Sequence, residues 1–404
     1  MNDHSILPAA GQAGAVSGIS EPGAQPLLGI NAKNASALPR DLAPGIGKYI
    51  LAATARAIIR HSWWPYGGPL ERVAKCMVVP WAKSVDVLYA PEYQSAVLRG
   101  LTTCGSPWAC SLCAPKISVR RRDEVRAGIA SWEAMDGRVA LVTYTLRHKL
   151  NDDLGLMLRS MAAARRSMKS GRRAQAIMQS FGLVGSVRSL EVTYGVNGWH
   201  PHYHELAFLR AGVDPQELQV ALLAVWSDAL AAAGLRDVTD RAVDVGMADL
   251  SVADYLSKFG HDRAWGLDAE ITMGRLKQGH LKGRTPVQLL ALATEGDIDS
   301  AALWLEYAAA TKGQVQTTWS NGLRAYLGLG KIETDDNAAA AIDGAYAVVL
   351  ASLTRAQWAV IVGNDALPEL MLVAGRGDVL ALWQFLADLA VPGALSEGRS
   401  SPLL

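Results

Sequence analysis

Apolar residues change period several times between residues 138 and 260, and each change predicts an element. "RVALVTYTL" (138–146) alternates with period two and predicts a strand. "DDLGLMLRSMAAARRSMKS" (152–170) carries Leu154, Leu156, Met157 and Met161 on one side and Arg159, Arg165, Arg166 and Lys169 elsewhere, the pattern of an amphipathic helix. A short helical piece follows near 173–181. "SVRSLEVTYG" (186–195) and "HPHYHELAFL" (200–209) read as two further strands. "DPQELQVALLAVWSDALAAAG" (214–234) has Asp214 as N-cap, Pro215 in the first turn and Gly234 as the stop of a strong helix. A weaker strand around "AVDVG" (242–246) precedes a helix, "ADLSVADYLSKFG" (248–260), that stops at Gly260. The order β-α-β-β-α-β predicts an α+β protein with a ferredoxin-like split βαβ antiparallel sheet, whose third strand is interior, beside the first and second.

The flanks read differently. Residues 1 to about 45 are rich in Gly, Ala, Pro, Ser and Asn without clear periodicity, so 1–65 is expected to be a largely disordered N-terminal region. Residues 66–115 form a Cys-rich segment with the short β-rich runs "CMVVPWA" and "VDVLYA". "SVRRRDEVRAGIASWEAM" then reads as a helix stopped by "DG", and the sheet-bearing unit spans 116–265. A helical extension is expected over 266–333, from "PVQLLALAT", "DSAALWLEYAAAT" and "WSNGLRAYLGL", and a small acidic domain over 334–404. Apolar runs fall short of the roughly 18 residues of a membrane span, and the first residues lack the charged and apolar regions of a secretory signal. A soluble cytoplasmic protein is expected, whose four cysteines are free thiols or metal ligands.

Charge sharpens this division. The formal net charge is only +1. Yet Lys116 to Arg188 holds 15 basic residues against 6 acidic, whereas Ile332 to the end holds 9 acidic against 3 basic. A basic block beside an acidic tail suits a polyanion site in the middle of the chain; solvated helix faces would give the same totals.

Three of the eight histidines, His200, His202 and His204, alternate along the third strand and therefore share one face. In "YGVNGWH", Asn197-Gly198 suggests a two-residue type I′ hairpin. That register sets Val196 against Trp199, Thr193 against His202 and Glu191 against His204. His202, His204 and Glu191 then make a ligand set suited to Mn²⁺, Fe²⁺ or Zn²⁺, and to Mg²⁺ at lower affinity. His200, nearest the turn, is either a further ligand or a residue that orients one.

Two other patterns carry chemistry. In "VADYLSKFGHD", Tyr255 and Lys258 are one helical turn apart. A nearby cation favours a phenolate or holds a phosphate oxygen, although an interfacial Tyr beside a snorkelling Lys has the same spacing. "CGSPWACSLC" spaces Cys104, Cys110 and Cys113 as C-x5-C-x2-C, and its C-x2-C pair suits a zinc knuckle that Cys76 would complete. Such a structural Zn²⁺ would fix the start of the basic helix and place Arg120, Arg121 and Arg122 for phosphate contacts. Arg147, Arg165 and Arg166 are further candidates in the basic block. Trp108 either stacks on a base or fills the knuckle.

The strand "VTYTLRH" (142–148), the hairpin "EVTYGVNGWHPHYHEL" (191–206) and the helix "YLSKFG" (255–260) resemble three motifs of the plasmid-type rolling-circle replication initiators (Rep proteins) of the HUH endonuclease superfamily. The upstream "CGSPWACSLC" and downstream "WSNGLR" fit one branch of that family, over about residues 69–330. The resemblance implies a metal-dependent nickase of single-stranded or extruded origin-hairpin DNA, with Mg²⁺ or Mn²⁺ as its cation. It implies His202 and His204 as the ligand pair flanking Tyr203, Tyr255 as nucleophile and Lys258 as its partner. Glu191 is the third ligand by the register above. The implied partner is origin DNA; the acidic domain, outside the resemblance, is a candidate site for a host helicase or DNA polymerase. A mobilisation relaxase or single-tyrosine transposase shares this chemistry, and a non-catalytic zinc-containing DNA-binding regulator would keep the sheet without it.

Overall fold

In the computed structural model, residues 46–61, 70–210, 212–235, 238–248, 283–341 and 346–392 are described. Helix α1 (Gly47–His61) and the short α2 (Glu71–Lys75) lead into strands β1 (Ser84–Ala90) and β2 (Ser95–Arg99). Helix α3 (Ala114–Glu133) then enters the central unit, β3 (Arg138–Thr145), α4 (Leu154–Ser170), α5 (Arg172–Ser180), β4 (Leu183–Gly195), β5 (Gly198–Leu209), α6 (Pro215–Ala232) and β6 (Val243–Ala248). Beyond it come α7 (Pro286–Thr294), α8 (Ile298–Ala310), β7 (Thr317–Trp319), α9 (Leu323–Tyr326) and α10 (Asp335–Ala340). β8 (Val348–Thr354), α11 (Arg355–Gly363), α12 (Leu367–Ala374) and α13 (Val379–Asp388) complete the described chain. None of the described helices is long and apolar enough to cross a membrane.

The central sheet runs β6-β3-β5-β4-β7, so the four strands read from the sequence stand in the order four, one, three, two, all antiparallel. The histidine strand β5 is interior, as expected. Alternation gives the sheet two faces. Val142, Tyr144, Leu190, Tyr203 and Ala207 pack with Met157 and Met161 of α4 and Trp226 of α6. Val139, Val187, Leu206 and Phe208 pack on the other face with Val125, Ile129 and Trp132 of α3, and with Trp319 and Leu323. Thr143, Glu191, His202 and His204 continue this second face away from that packing.

Caps explain the helix starts. Asp153 accepts from Leu156 N–H and Asp214 from Gln216 N–H, while Thr285 forms a capping box with Gln288. "WSNGLRAYLGL", expected as a helix, is divided instead. Its first residue ends β7, and only Leu323–Tyr326 is helical after Gly322 at φ +81°.

A second sheet, β2-β1-β8, corrects the division of the flanks. β8, from the segment expected to form a domain of its own, pairs with β1 from Ser84↔Thr354 to Tyr89↔Val348. One core holds Val85, Val87, all four cysteines, Leu353, Trp358 and Leu370. The Cys-rich segment and the acidic C-terminal segment are therefore one folded unit. "CMVVPWA" contributes to this sheet only an isolated bridge, Pro80↔Leu101. α1 is a further correction: within the stretch expected to be disordered, Leu51, Ala55 and Ile58 are buried against the main core.

Two arginines expected at DNA are structural. Arg165 is 1% exposed and lies in a bidentate ion pair with Glu205, its Nε donating to Oε2 at 3.0 Å. Arg121 is 7% exposed and donates to the side chains of Glu124 and Asp335 and to the Glu333 carbonyl. Desolvated guanidinium groups held this way are not available to a phosphate. Arg165→Met should cost about 3–5 kcal/mol by leaving Glu205 buried without its cation. Urea denaturation of that variant checks this, and adding Glu205→Leu should recover most of the loss.

Candidate metal centres

The β4–β5 hairpin closes with Gly195 opposite Gly198, leaving Val196 and Asn197 as its two loop residues. Both loop residues keep negative φ, and Gly198 takes φ +85°, so the turn is not type I′. A side chain at 198 would also meet the Leu150 backbone at 2.8 Å. The register is therefore shifted by two from the expected one. Glu191 pairs with His202, Thr193 with His200 and Ser189 with His204. A two-residue shift preserves faces, so Glu191 stays on the histidine side.

Glu191, His202 and His204 bring one ligand atom each within 4.8 Å of one another. The Glu191 Oε2 contacts Nε2 of both rings, at 3.0 Å for His204. The opposite nitrogens are also engaged. His204 Nδ1 lies 3.1 Å from the Thr143 hydroxyl, and His202 Nδ1 lies 3.4 Å from the His200 carbonyl. Nδ1–H donation to these oxygens would free both Nε2 lone pairs for a cation; without one, the Nε2 contacts to Glu191 need Nε2–H donation, so binding an ion displaces those protons. Donor types and spacing fit one divalent cation.

His200 stands outside this trio. Its Nδ1 meets His148 Nε2 at 2.8 Å, and His148 Nδ1 meets the Asn197 carbonyl at 3.0 Å. The hairpin turn thus holds His148, which holds His200, whose ring centroid is 5.1 Å from that of His202. His148 and Thr143 were missed by the ligand search in the sequence. The signal for Thr143 was present, since Thr143 and Thr145 interrupt an apolar strand on one face and pair with His204 and His202.

Electrostatics favour the ligand forms. Burial pushes the Glu191 carboxyl up, but hydrogen bonds from His202 and His204 outweigh it and hold the pKa at about 2. Burial pushes His204 below its usual 6.5, against the pull of Glu191. Burial, with His202 and His148 nearby, takes His200 down to about 4. Only neutral imidazole ligates, so a lowered pKa extends the metal-competent range to lower pH. Mn²⁺ binding followed by electron paramagnetic resonance should weaken as falling pH protonates the imidazoles; binding unchanged between about pH 8 and pH 4 would exclude the histidines as ligands.

Tyr255 and Lys258 lie outside the described residues. Of the remaining arginines, Arg147 and Arg166 are exposed. Arg120 is 3.6 Å from Glu333 and Arg122 is 3.3 Å from Asp123.

The second cluster is buried. Cys76, Cys104, Cys110 and Cys113 place their sulfurs within 4.8 Å of one another. Three separations are 3.5 Å (Cys76–Cys113), 3.5 Å (Cys76–Cys110) and 3.8 Å (Cys104–Cys113). A tetrahedron with Zn–S bonds of about 2.3 Å has edges of about 3.8 Å, so the four sulfurs fit Zn²⁺. Hydrogen bonds from the Cys104, Cys110 and Cys76 thiols hold Cys113 well below the usual thiol range, while the same contacts push Cys110 above it. Gly105, at φ +63°, lets the loop pass Asp336, whose Oδ1 would lie 2.2 Å from any Cβ there. Trp108 is 7% exposed and packs in the main core against Tyr307, its indole donating to the Gln314 carbonyl at 2.8 Å, so it docks the cysteine loop onto that core.

Fold and sites together define an α+β protein with an interior histidine strand and a separate four-cysteine cluster. In sequence, the chain is similar to "Protein rep" of Streptomyces lividans, 28% identical over 60% of this chain and 68% of that protein. It is also similar to a "Neomycin resistance protein" of Streptomyces cyanogenus, 26% identical over 30% of this chain and 34% of that protein. No family model and no solved structure matches the chain. These similarities support the plasmid Rep-type resemblance carried by the motifs.

Proposed function

We propose that the chain is a plasmid replication initiator that nicks single-stranded or extruded origin DNA, with the chemistry of the HUH endonucleases. One observation carries the reading: Glu191, His202 and His204 converge on one face of an interior strand, in a chain similar to a Rep protein. These three would hold Mg²⁺ or Mn²⁺, which supplies Lewis-acid polarisation of phosphate oxygens. Thr143 and the His200 carbonyl fix the rings. The Tyr255 oxygen attacks phosphorus, the bond to the 3′-oxygen breaks, and that oxygen leaves as a 3′-OH. The products are a 5′-phosphotyrosine and a primer for rolling-circle DNA replication by a host polymerase. Lys258, three residues after Tyr255 in the sequence, would stabilise the phenolate or a phosphate oxygen. The cysteine cluster would hold a structural Zn²⁺ and does no chemistry.

The test is incubation of the full chain with labelled single-stranded origin DNA and Mn²⁺ or Mg²⁺. A covalent protein–DNA adduct is expected, abolished by EDTA and by Tyr255→Phe. An adduct formed by Tyr255→Phe would remove Tyr255 as nucleophile. Specific binding without any adduct would favour the non-catalytic regulator.

A further inference from the structure

The unit built from β1, β2 and β8 carries a cavity of about 920 Å³, on a different sheet from the histidine strand. Its wall is residues 95–103, which form the free edge strand β2 and its continuation. Lys48, Arg72, Arg99 and Lys116 line it, from α1, α2, β2 and α3. Asp336 is the one carboxylate among the described lining residues. It pairs with Arg72 at 2.7 Å, in an exposed contact. Lys116 donates to a neutral group, the Ala341 carbonyl, at 2.6 Å. Arg99 is likewise paired, with Asp86 of β1 at 2.7 Å, so four cations meet two carboxylates and two positive charges remain in excess.

Two aromatic residues complete it. Trp81 is 70% exposed and Tyr93 is 56% exposed, both on the cavity wall. Large aromatic rings left open beside clustered cations match the two demands of an unpaired polynucleotide: charge for its backbone and flat faces for its bases.

We propose that this cavity binds single-stranded nucleic acid, as a site separate from the histidine face. The phosphates lie along Lys48, Arg72, Arg99 and Lys116, and bases stack on Trp81 and Tyr93. A duplex would satisfy the cations but hide its base faces, so the exposed rings favour the single strand. A peptide adding to the β2 edge would use the backbone but not this excess of charge.

The experiment uses the full zinc-loaded chain without added Mg²⁺ or Mn²⁺ and a bromodeoxyuridine-substituted, fluorescein-labelled 20-mer oligonucleotide. Ultraviolet cross-linking followed by peptide mapping should give adducts at Trp81 or Tyr93. Trp81→Ala should weaken binding by roughly tenfold in fluorescence anisotropy. Arg72→Gln with Lys116→Gln should lower the slope of log K against log salt by about 0.7 per charge removed. Trp81 is exposed, so its variant should retain the parent's thermal transition. Cross-links confined to the 191–206 hairpin, or unchanged affinity in both variants, would overturn the site. Equal cross-linking at Trp81 and Tyr93 by the matching duplex would overturn its preference for single strands. None of these outcomes depends on strand cleavage, so the site and the proposed nicking activity fail or stand separately.

Discussion

Cys110→Ser should release one equivalent of zinc and destabilise the chain by at least about 4 kcal/mol, within the range reached when a structural metal site is lost. The cause is the position of the cluster. All four sulfurs are buried in the core that joins β1 to β8, so losing the ion exposes that core as well as the loop. Ser is close in size to Cys but a poor ligand for zinc in this set. Zinc content by mass spectrometry and a guanidinium unfolding curve check the two parts together. Mn²⁺ binding at the histidine face should survive in the folded fraction, because those ligands belong to the other sheet. Purified wild-type protein without zinc would end this account.

The second large effect is expected at His204. His204→Ala removes one of three ligands and leaves Glu191 partly buried with one imidazole, so cation affinity should fall by at least about 100-fold. DNA cleavage should fall with it under the proposed function. Thr143→Val keeps every ligand and removes only the partner of His204 Nδ1. Its loss should be smaller, about tenfold to 100-fold in affinity. Calorimetric titration with Mn²⁺ orders the three proteins. If Thr143→Val were as damaging as His204→Ala, the hydroxyl would be acting as more than an orienting group.

The central sheet was legible because its elements are local and strongly periodic. β3, α4, β4, β5, α6 and β6 each carry their own alternation or caps, and the β-α-β-β-α-β order limits the topology. The hairpin was read two residues off. Asn197-Gly198 suggests a type I′ turn, yet the chain uses Gly198 after a turn at Val196-Asn197. The ligand trio survived the error because a shift of two does not change faces. Composition hid α1: its helical spacing sits beside a long Gly- and Ala-rich stretch. The arginines misled for another reason. Arg121 and Arg165 look like Arg120 and Arg166 in sequence, and only the tertiary carboxylates Asp335 and Glu205 separate them.

The pairing of β1 with β8 has a consequence for synthesis. Ser84 and Thr354 are partners across 270 positions, so this sheet cannot close until nearly all of the described chain has left the ribosome. The four cysteines are made early, between residues 76 and 113, but the core around them waits for Leu350, Leu353 and Trp358. The central sheet, complete by residue 248 except for β7, has its main strands much sooner. Its histidine face is thus expected to form first, and the cysteine unit last, as the step most exposed to aggregation and to thiol oxidation.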